Sequence, residues 1–561
     1  MKYLEQIAIS VIRLVSVIML TVLCIFSMFN TTFLKDIEEH SFFLDDNPLV
    51  HLVAVFFVIV LAIGMTSIVT KYRNVIKQEW TTRMLGCSFL IGVGWILISQ
   101  VESVGDSLAI FSVANDLHNG DLSEFGRGGY MYMCPNQEGI VLFCYFLQAI
   151  AGKNNFLLFQ FLNVCALVIS QWAIYKIVEF FTKNMKLAMA VLMAEICFVP
   201  AIIYTSFTYG TLLGFAGITL AVWNACRFIQ TKNLRYVLFA TIAMAFSIFF
   251  KSNNLICLIA MVLMGVVYAC KNCNWKTILF PVLMVIGYLL ISWGTDEILD
   301  NLTGDLARDN TFSAMAYIEM GLQESYMAPG WFNGYAYEVC SENNFDEAQY
   351  STVINEDMRE SLTYFANNPD YAYDFFSKKI ISQWCEPTFQ SMWIVLVRES
   401  LLEQTSIIRY WMVAPYSGAN ILVRQVLNIF QTIIYFGALM WVLRSRKSNI
   451  FSWIGMVMVI GGFLFHTMWE AKAQYALNYF LLLIPYSVVG LYYLAKSIVK
   501  LKDSEQRMLL LKGIKGDRKH LIEMGVFVTL MLIICGILIC NGASFANEED
   551  ILNYNLFMIY S

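Results

Sequence analysis

Apolar runs long enough to cross a bilayer recur from residue 8 to residue 540, and the short polar links between them alternate in charge. A helix needs about 20 apolar residues to cross about 30 Å of hydrocarbon. In lipid, every backbone amide and carbonyl must be paired within the protein, so continuous apolar runs of this length become helices. The basic links hold Lys71, Arg73, Lys77 and Arg83; Lys183 and Lys186; Arg227, Lys232 and Arg235; Lys271 and Lys276; Arg444, Arg446 and Lys447; and a stretch from Lys496 to Lys519. Short links rich in Lys and Arg stay in the cytoplasm. The remaining links are then outside, and they are acidic and long. The expected fold class is an all-α integral membrane protein, multi-pass, with its N-terminus inside and its bulk facing out.

Composition agrees. Of 561 residues, 58% are hydrophobic and 14% charged, and the mean hydropathy is +0.61. A soluble domain has about 25% charged residues. A net charge of -5 gives no basic surface for nucleic acid. Most of the fourteen cysteines, such as Cys24, Cys87, Cys165, Cys257 and Cys535, lie in apolar runs, where Cys acts as a small hydrophobe. Cys134, Cys340 and Cys385 fall in outside loops, and a Cys340–Cys385 bridge is left open. Cys270 and Cys273 have no second pair and no nearby His pair, so they read as structural. The first apolar run lacks a small-residue cleavage site and reads as a retained signal anchor.

The pattern predicts thirteen spans, near 8–28, 50–70, 84–100, 156–178, 187–207, 211–228, 236–250, 255–270, 277–293, 419–443, 451–467, 475–495 and 522–540. Those at 236–250 and 255–270 are short and read alternatively as one helical hairpin. The resulting organisation is N-terminal helices over 1–100, an outer loop over 101–155, a transmembrane core over 156–293, an outer cap over 294–418, C-terminal helices over 419–540 and an outer tail over 541–561. In the first loop, Leu108, Phe111 and Leu117 share one side of a helix that begins near Asp106, a pattern suited to the membrane surface. Gly126, Gly128 and Gly129 then loosen the chain before Pro135, and Ile140–Ile150 is too short to span. The cap carries seventeen acidic and four basic residues between Gly294 and Gln390, with enough Tyr, Trp and Asn to fold as mostly helical structure. The halves of the chain do not resemble each other, which argues against an inverted-repeat transporter.

Asp106 follows the third span at the outer interface. A carboxylate there can take a proton from an acceptor hydroxyl while a lipid-borne substrate approaches sideways. It reads equally as an interfacial acid or a helix cap, since Gly105-Asp106-Ser107 starts a helix well; Glu102 and Asp116 are weaker competitors. Lys251 follows the span 236–250 and should emerge outside, where a lone lysine can simply snorkel. Arg127 in the Gly-rich turn reads either as a functional residue or as a solvated loop arginine. His466, Glu470 and Lys472 sit at the outer end of the span 451–467. Charges at that depth are functional or paired, and a structural Glu470–Lys472 or cross-helix ion pair is the alternative. Glu319, Glu324, Glu386 and Trp331 in the cap can contact an acceptor or serve an ordinary interfacial domain. No His, Asp or Glu cluster has metal-ligand spacing.

A span with Asp at its outer end, an amphipathic helix, a Gly- and Tyr-rich turn, the segment Tyr130-Met-Tyr-Met-Cys-Pro-Asn-Gln-Glu-Gly139 and a short apolar helix ending Ala-Gly-Lys together resemble the first outer loop of GT-C superfamily glycosyltransferases. The nearest branch is the bacterial relatives of protein O-mannosyltransferases and lipid A aminoarabinose transferases. Pro329-Gly-Trp-Phe-Asn-Gly334, Gln383-Trp-Cys-Glu-Pro-Thr-Phe389 and His466-Thr-Met-Trp-Glu-Ala-Lys-Ala-Gln-Tyr475 are similar to later segments of Firmicute members. The resemblance runs from about residue 84 to 495. It departs from the family where Ser107 replaces the second acid of an Asp-Glu pair, Gln474 an Arg, and Asn478 a Pro.

The resemblance implies an inverting transfer of a sugar from a polyprenyl phosphate to an extracytoplasmic glycan, glycolipid or protein, at a bacterial plasma membrane with the active site outside. It places Asp106 as the general base and Lys251, Arg127 and Lys472 as phosphate partners. Glu470, His466, Tyr475, Trp331 and Glu319 are candidate substrate contacts. A divalent ion, magnesium or manganese, bridging Asp106 and the phosphate is compatible with hard oxygen ligands. A transporter or flippase of a lipid-linked precursor and a non-catalytic scaffold of an envelope-synthesis complex are the alternatives. The first predicts polar groups at mid-membrane, where Asn163, Gln171, Glu195 and Asn224 are the main exceptions to apolar centres.

Overall fold

The computed structural model describes residues 2–34, 39–71, 78–153, 155–304, 306, 312–395, 418–445, 448–502 and 518–546. Among them, eleven helices are long and apolar enough to cross a membrane. They are α1 (Lys2–Phe29), α2 (Pro48–Lys71), α3 (Glu79–Ser99), α7 (Phe156–Thr182), α10 (Thr211–Thr231), α12 (Leu255–Asn272), α13 (Trp275–Thr303), α18 (Gly418–Arg444), α19 (Ile454–Met468), α20 (Ala473–Lys502) and α21 (Arg518–Cys540). The chain is an all-α, multi-pass membrane protein whose apolar helices call for a lipid bilayer as solvent. The other two expected spans fall on less regular helices. The one at 236–250 is the sixteen-residue α11 (Arg235–Phe250). The one at 187–207 is a pair, α8 (Met185–Ile196) and α9 (Val199–Ile203), with the chain bent by 62° between them.

Pro200 explains the bend. It enters α9 in its first turn, where a missing amide proton costs nothing, and it disfavours helix in the residue before it. The carbonyls where α9 ends find side-chain donors. Trp95 Nε1 donates to Ile203 O (3.3 Å), Gln160 Nε2 to Ser206 O (3.0 Å) and Asn163 Nδ2 to Phe207 O (2.8 Å). Irregular backbone at membrane depth is tolerated on that condition. Two of these donors lie on one face of α7, which therefore braces the chain just beyond α9.

Two small helices follow α3. The interfacial helix expected near Asp106 is α4 (Asp106–Asn119), and the short apolar one is α6 (Glu138–Ala151), separated by the single turn α5 (Tyr130–Met133). α4 packs on α6 through Ile110, Phe111, Val113 and Leu117, while Leu108, Phe146 and Ile150 remain exposed and apolar. The cap is helical: α14 (Met315–Met320), α15 (Tyr335–Glu342), α16 (Glu347–Asn367) and α17 (Pro369–Trp384). α13 continues to Thr303, so the helical part of the cap begins beyond it. The region 396–417 and the tail beyond 546 lie outside the described residues.

One element has no counterpart in the sequence reading. Asn30–Leu34 (β1) and Ser41–Asp45 (β2) pair antiparallel, with Thr32 opposite Phe43. The hairpin is clamped under the cap, where Thr32 N donates to Cys385 O (3.2 Å) and Ser41 N to Met327 O (2.9 Å). Cap, hairpin, α4 and α6 gather at one end of the bundle, the cap face. The described basic residues Lys183, Arg227, Lys232, Arg235, Lys271 and Arg444 lie at the other ends of the spans, the basic face.

Candidate functional site

Asp106 is set by an unusual approach to α4. Ser107 Oγ donates to Val104 O (2.7 Å) and accepts from Val104 N (3.1 Å), and Gly105 takes φ +55°, a conformation costly for a residue with Cβ. Gly105 therefore occupies the cap position and Asp106 the first helical one. The Asp106 side chain is exposed, caps no amide and makes no hydrogen bond or ion pair among the described residues. Its charge reaches the Tyr209 and Tyr475 hydroxyls, the Glu470 carboxyl and the Lys472 ammonium.

Lys251 ends α11 in an extended conformation. Its position follows from close packing of α10 on α11 through small residues. A Cβ on Gly210 would lie 1.8 Å from Phe250 O, and one on Gly217 2.6 Å from Ala243 O. The Lys251 Nζ donates to Thr211 Oγ1 (3.2 Å) and lies 5.8 Å from the Tyr209 ring centre and 5.7 Å from that of Tyr475. Two electron-rich faces thus hold the ammonium. It has no acidic partner among the described residues. Burial lowers its proton affinity to about 8, so it is still a cation at neutral pH.

The neighbouring charges are paired. Lys472 Nζ lies 3.0 Å from Glu39 Oε2, and Gln390 Nε2 also donates to Glu39 (3.2 Å). Gln390 Oε1 accepts from Gln474 N (3.0 Å), and Gln390 N donates to Glu386 (2.6 Å). Burial opposes the Lys472 charge, but Glu39, then Glu470 and Asp106, outweigh it and raise its proton affinity. Glu39, Phe389 and Gln390 have φ of +59°, +51° and +60°. Left-handed backbone costs a non-glycine residue about 1–3 kcal/mol and persists only where the surroundings enforce it. Three such residues converge on this network.

Glu470 is the exception to that pairing. Its carboxylate accepts only a long bond from the Tyr475 hydroxyl (3.4 Å), and burial pushes its pKa up to about 7, against the pull of Lys472. Of the two ion pairs open for Lys472, the local one to Glu470 is absent among the described residues, and Lys472 is turned to the distant Glu39 instead. His466 is buried, stacks on Tyr475 and lies 3.3 Å from Glu470 O through Nδ1. The Tyr130 hydroxyl is buried, has no partner and feels the Asp106 charge. Tyr209 accepts from Gln137, and Tyr317 donates to Met133 O (3.0 Å) while stacking on Trp469. Cys134 lies beside Tyr317, and burial pushes its thiol to about 12, so it is no nucleophile.

Asp106, Lys251, Lys472, Glu470, His466 and Tyr475 therefore meet at the cap face. Arg127 is exposed beside Tyr132, and the charge of Tyr132 is the one it bears on. Trp331 is fully buried and donates to Ser382 Oγ (2.9 Å), so its faces belong to the cap interior. Glu319 is buried among Ser361 (2.8 Å) and Gln323 (3.0 Å). Cys340 and Cys385 are free thiols in separate hydrophobic clusters. No group of three or more His, Cys, Asp or Glu side chains placed to hold a metal ion occurs among the described residues. Asp106 is the free carboxylate with which a hard cation would have to begin.

The sequence reading missed Glu39, Tyr130 and Tyr209. Glu39 is 433 residues from its partner, beyond any local signal. Tyr209 sits in the short outer link before α10, where an aromatic is an ordinary interfacial residue. No family model matches the chain, and no curated protein matches it.

Proposed function

We propose that the protein is an integral-membrane inverting glycosyltransferase of GT-C type, taking a sugar from a polyprenyl phosphate and passing it to a cell-surface glycan, glycolipid or protein. The cap face would lie outside a bacterial plasma membrane. The observation that carries this reading is that Asp106 and Lys251, neither with an ion-pair partner among the described residues, bear on the same two tyrosines: the Lys251 Nζ lies 5.8 and 5.7 Å from the Tyr209 and Tyr475 ring centres, and the Asp106 charge acts on both hydroxyls.

The chemistry needs both. Asp106 removes the proton from the acceptor hydroxyl as its oxygen bonds to the anomeric carbon. The bond from that carbon to the phosphate oxygen breaks with its electron pair left on the phosphate. Attack from the face opposite the leaving group inverts the centre. Lys251 meets the growing negative charge, and a donor already held in place needs no reorganisation at that moment. Lys472 is committed to Glu39 and acts on the site through its field. Tyr209 and Tyr475 shield the ammonium from water, which strengthens its pull on phosphate. Glu470, with its proton affinity near neutrality, is suited to a hydrogen bond with a sugar hydroxyl.

The transporter or flippase reading draws on the bent pair α8–α9 and on Glu195 beside the break, whose Oε1 is buried without a partner. The α7 amide groups of Gln160 and Asn163 donate to the carbonyls beyond α9, which favours a structural role for them. Purified protein in nanodiscs, given a labelled polyprenyl-phosphate sugar and an extract of acceptor glycans, separates the readings. Release of polyprenyl phosphate with label in the acceptor is the expected result. Movement of intact donor between leaflets with no bond broken would sink the transferase.

A further inference from the structure

The basic face holds a cavity of about 240 Å³, on the opposite side of the bundle from the Asp106 site. Its deep wall is apolar: Ile174 and Val178 of α7, Val222 of α10, and Leu482 and Val489 of α20. Its mouth carries hydroxyls: Thr182 at the last turn of α7, Ser445 just past α18, and Ser448 and Ser452 in the link before α19. Two backbone features keep it open. Pro485 lies inside α20 and lines the cavity, so the carbonyl one turn earlier has no amide to accept from. Gly455 faces Tyr486, and a Cβ there would lie 3.0 Å from the tyrosine hydroxyl.

The polar groups of the mouth are already satisfied by the chain. Thr182 donates to Val178 O (2.7 Å), Ser448 to Ser445 O (2.6 Å) and Ser452 to Asn449 O (2.6 Å). The protons of these three hydroxyls are spent on the chain, and most side chains of the wall behind them are apolar. A cavity of this kind stays dry and takes apolar guests. Its volume holds a chain of about eight methylenes, at roughly the 30 Å³ that a water-sized group occupies. The mouth is flanked by cations. Lys183 follows Thr182 directly, and Arg444, anchored to Tyr493 O (3.0 Å) and Ser497, precedes Ser445. Glu179, the acid one turn before Lys183, is paired with Lys176 at 2.9 Å. Apolar depth under a cationic rim at the membrane boundary is the arrangement that selects an anionic lipid over a neutral one.

We propose that this cavity binds one acyl chain of an anionic phospholipid from the leaflet facing the basic links, with the lipid phosphate at Lys183 and Arg444. The site is independent of the cap-face chemistry and stands whether or not the transferase reading holds.

The test uses the full-length protein in nanodiscs containing phosphatidylglycerol with a photoactivatable diazirine on one acyl chain, followed by peptide mapping. Adducts are expected on the α7 segment 174–182 and the α20 segment 482–489. Unlabelled phosphatidylglycerol should compete them away and phosphatidylcholine should not. Val222→Trp fills the cavity and should abolish these adducts while leaving those on the lipid-facing helices α2 and α13. Adducts confined to lipid-facing helices, or equal competition by both lipids, would overturn the proposal. If Val222→Trp does not yield a monodisperse protein, the wild-type competition decides alone.

Discussion

Gln160 and Asn163 on α7, and Asp106 with Lys251 at the cap face, are polar groups in apolar surroundings, but they are used differently. The α7 amides are spent on backbone carbonyls left open where α9 ends. Arg13 behaves the same way. Buried within α1, it pairs with Glu523 and donates to Val442 O and Leu443 O (both 3.2 Å), closing the C-terminal end of α18. At the cap face, Lys472 is likewise tied to Glu39, whereas Asp106 and Lys251 keep their charge without a counter-charge. The charges that complete the fold have counter-charges in the chain. Those at the cap face without one among the described residues are the ones available to a ligand.

That contrast can be broken by substitution. The largest expected effect is at Asp106. Asp106→Asn should cut transfer by about 10²–10⁴-fold, the usual contribution of a general base, with no change in thermal stability because no hydrogen bond is lost. Initial rates with labelled donor, beside a melting curve, check both halves. Arg13→Met should do the reverse. Leaving Glu523 in place without its cation should cost roughly 3–5 kcal/mol of stability, read by chemical denaturation in detergent, while the folded fraction binds donor as wild type does.

Lys251→Met should weaken donor phosphate binding by about 10–100-fold, the range for a lost charge-assisted hydrogen bond, and Lys251→Arg should recover part of it. Since the protonated amine is the form that binds, wild-type affinity should fall as pH rises through about 8. A flat profile across that window would remove Lys251 from the phosphate site. The smallest effect concerns Glu470. Its folded pKa of about 7 lies above the usual carboxylate value, so the folded state holds a proton that the unfolded state releases. Its contribution to stability is complete below about pH 4.5 and is lost as pH rises to about 7. Glu470→Gln should flatten stability across that window, and an unchanged slope would show that Glu470 titrates normally.

Much of this arrangement is legible in the sequence, for reasons that differ by element. Long apolar runs and basic links reveal the spans because lipid admits few alternatives to helix. The interfacial helix α4 and the short α6 follow from residue spacing and run length. Asp106 and Lys251 stand out as charges at span ends. The break in 187–207 lies beside Pro200, inside a run whose apolar length alone reads as one span. The β1–β2 hairpin was not legible, because two five-residue strands in a polar link gain their stability from the cap above them. Glu39 follows from that hairpin, and without it Glu470 was the natural partner for Lys472. Trp331 and Glu319 show the opposite error: residue types that bind sugars also build protein interiors, and here the cap encloses both.

The central claim is that one ligand brings Asp106 and Lys251 together. The most direct measurement is a cryo-EM structure of the protein in nanodiscs with a bound polyprenyl phosphate. The account predicts phosphate density within about 3 Å of Lys251 Nζ, between Tyr209 and Tyr475 and facing Asp106. Phosphate bound elsewhere, with Lys251 still held only by Thr211 and the two rings, would contradict it.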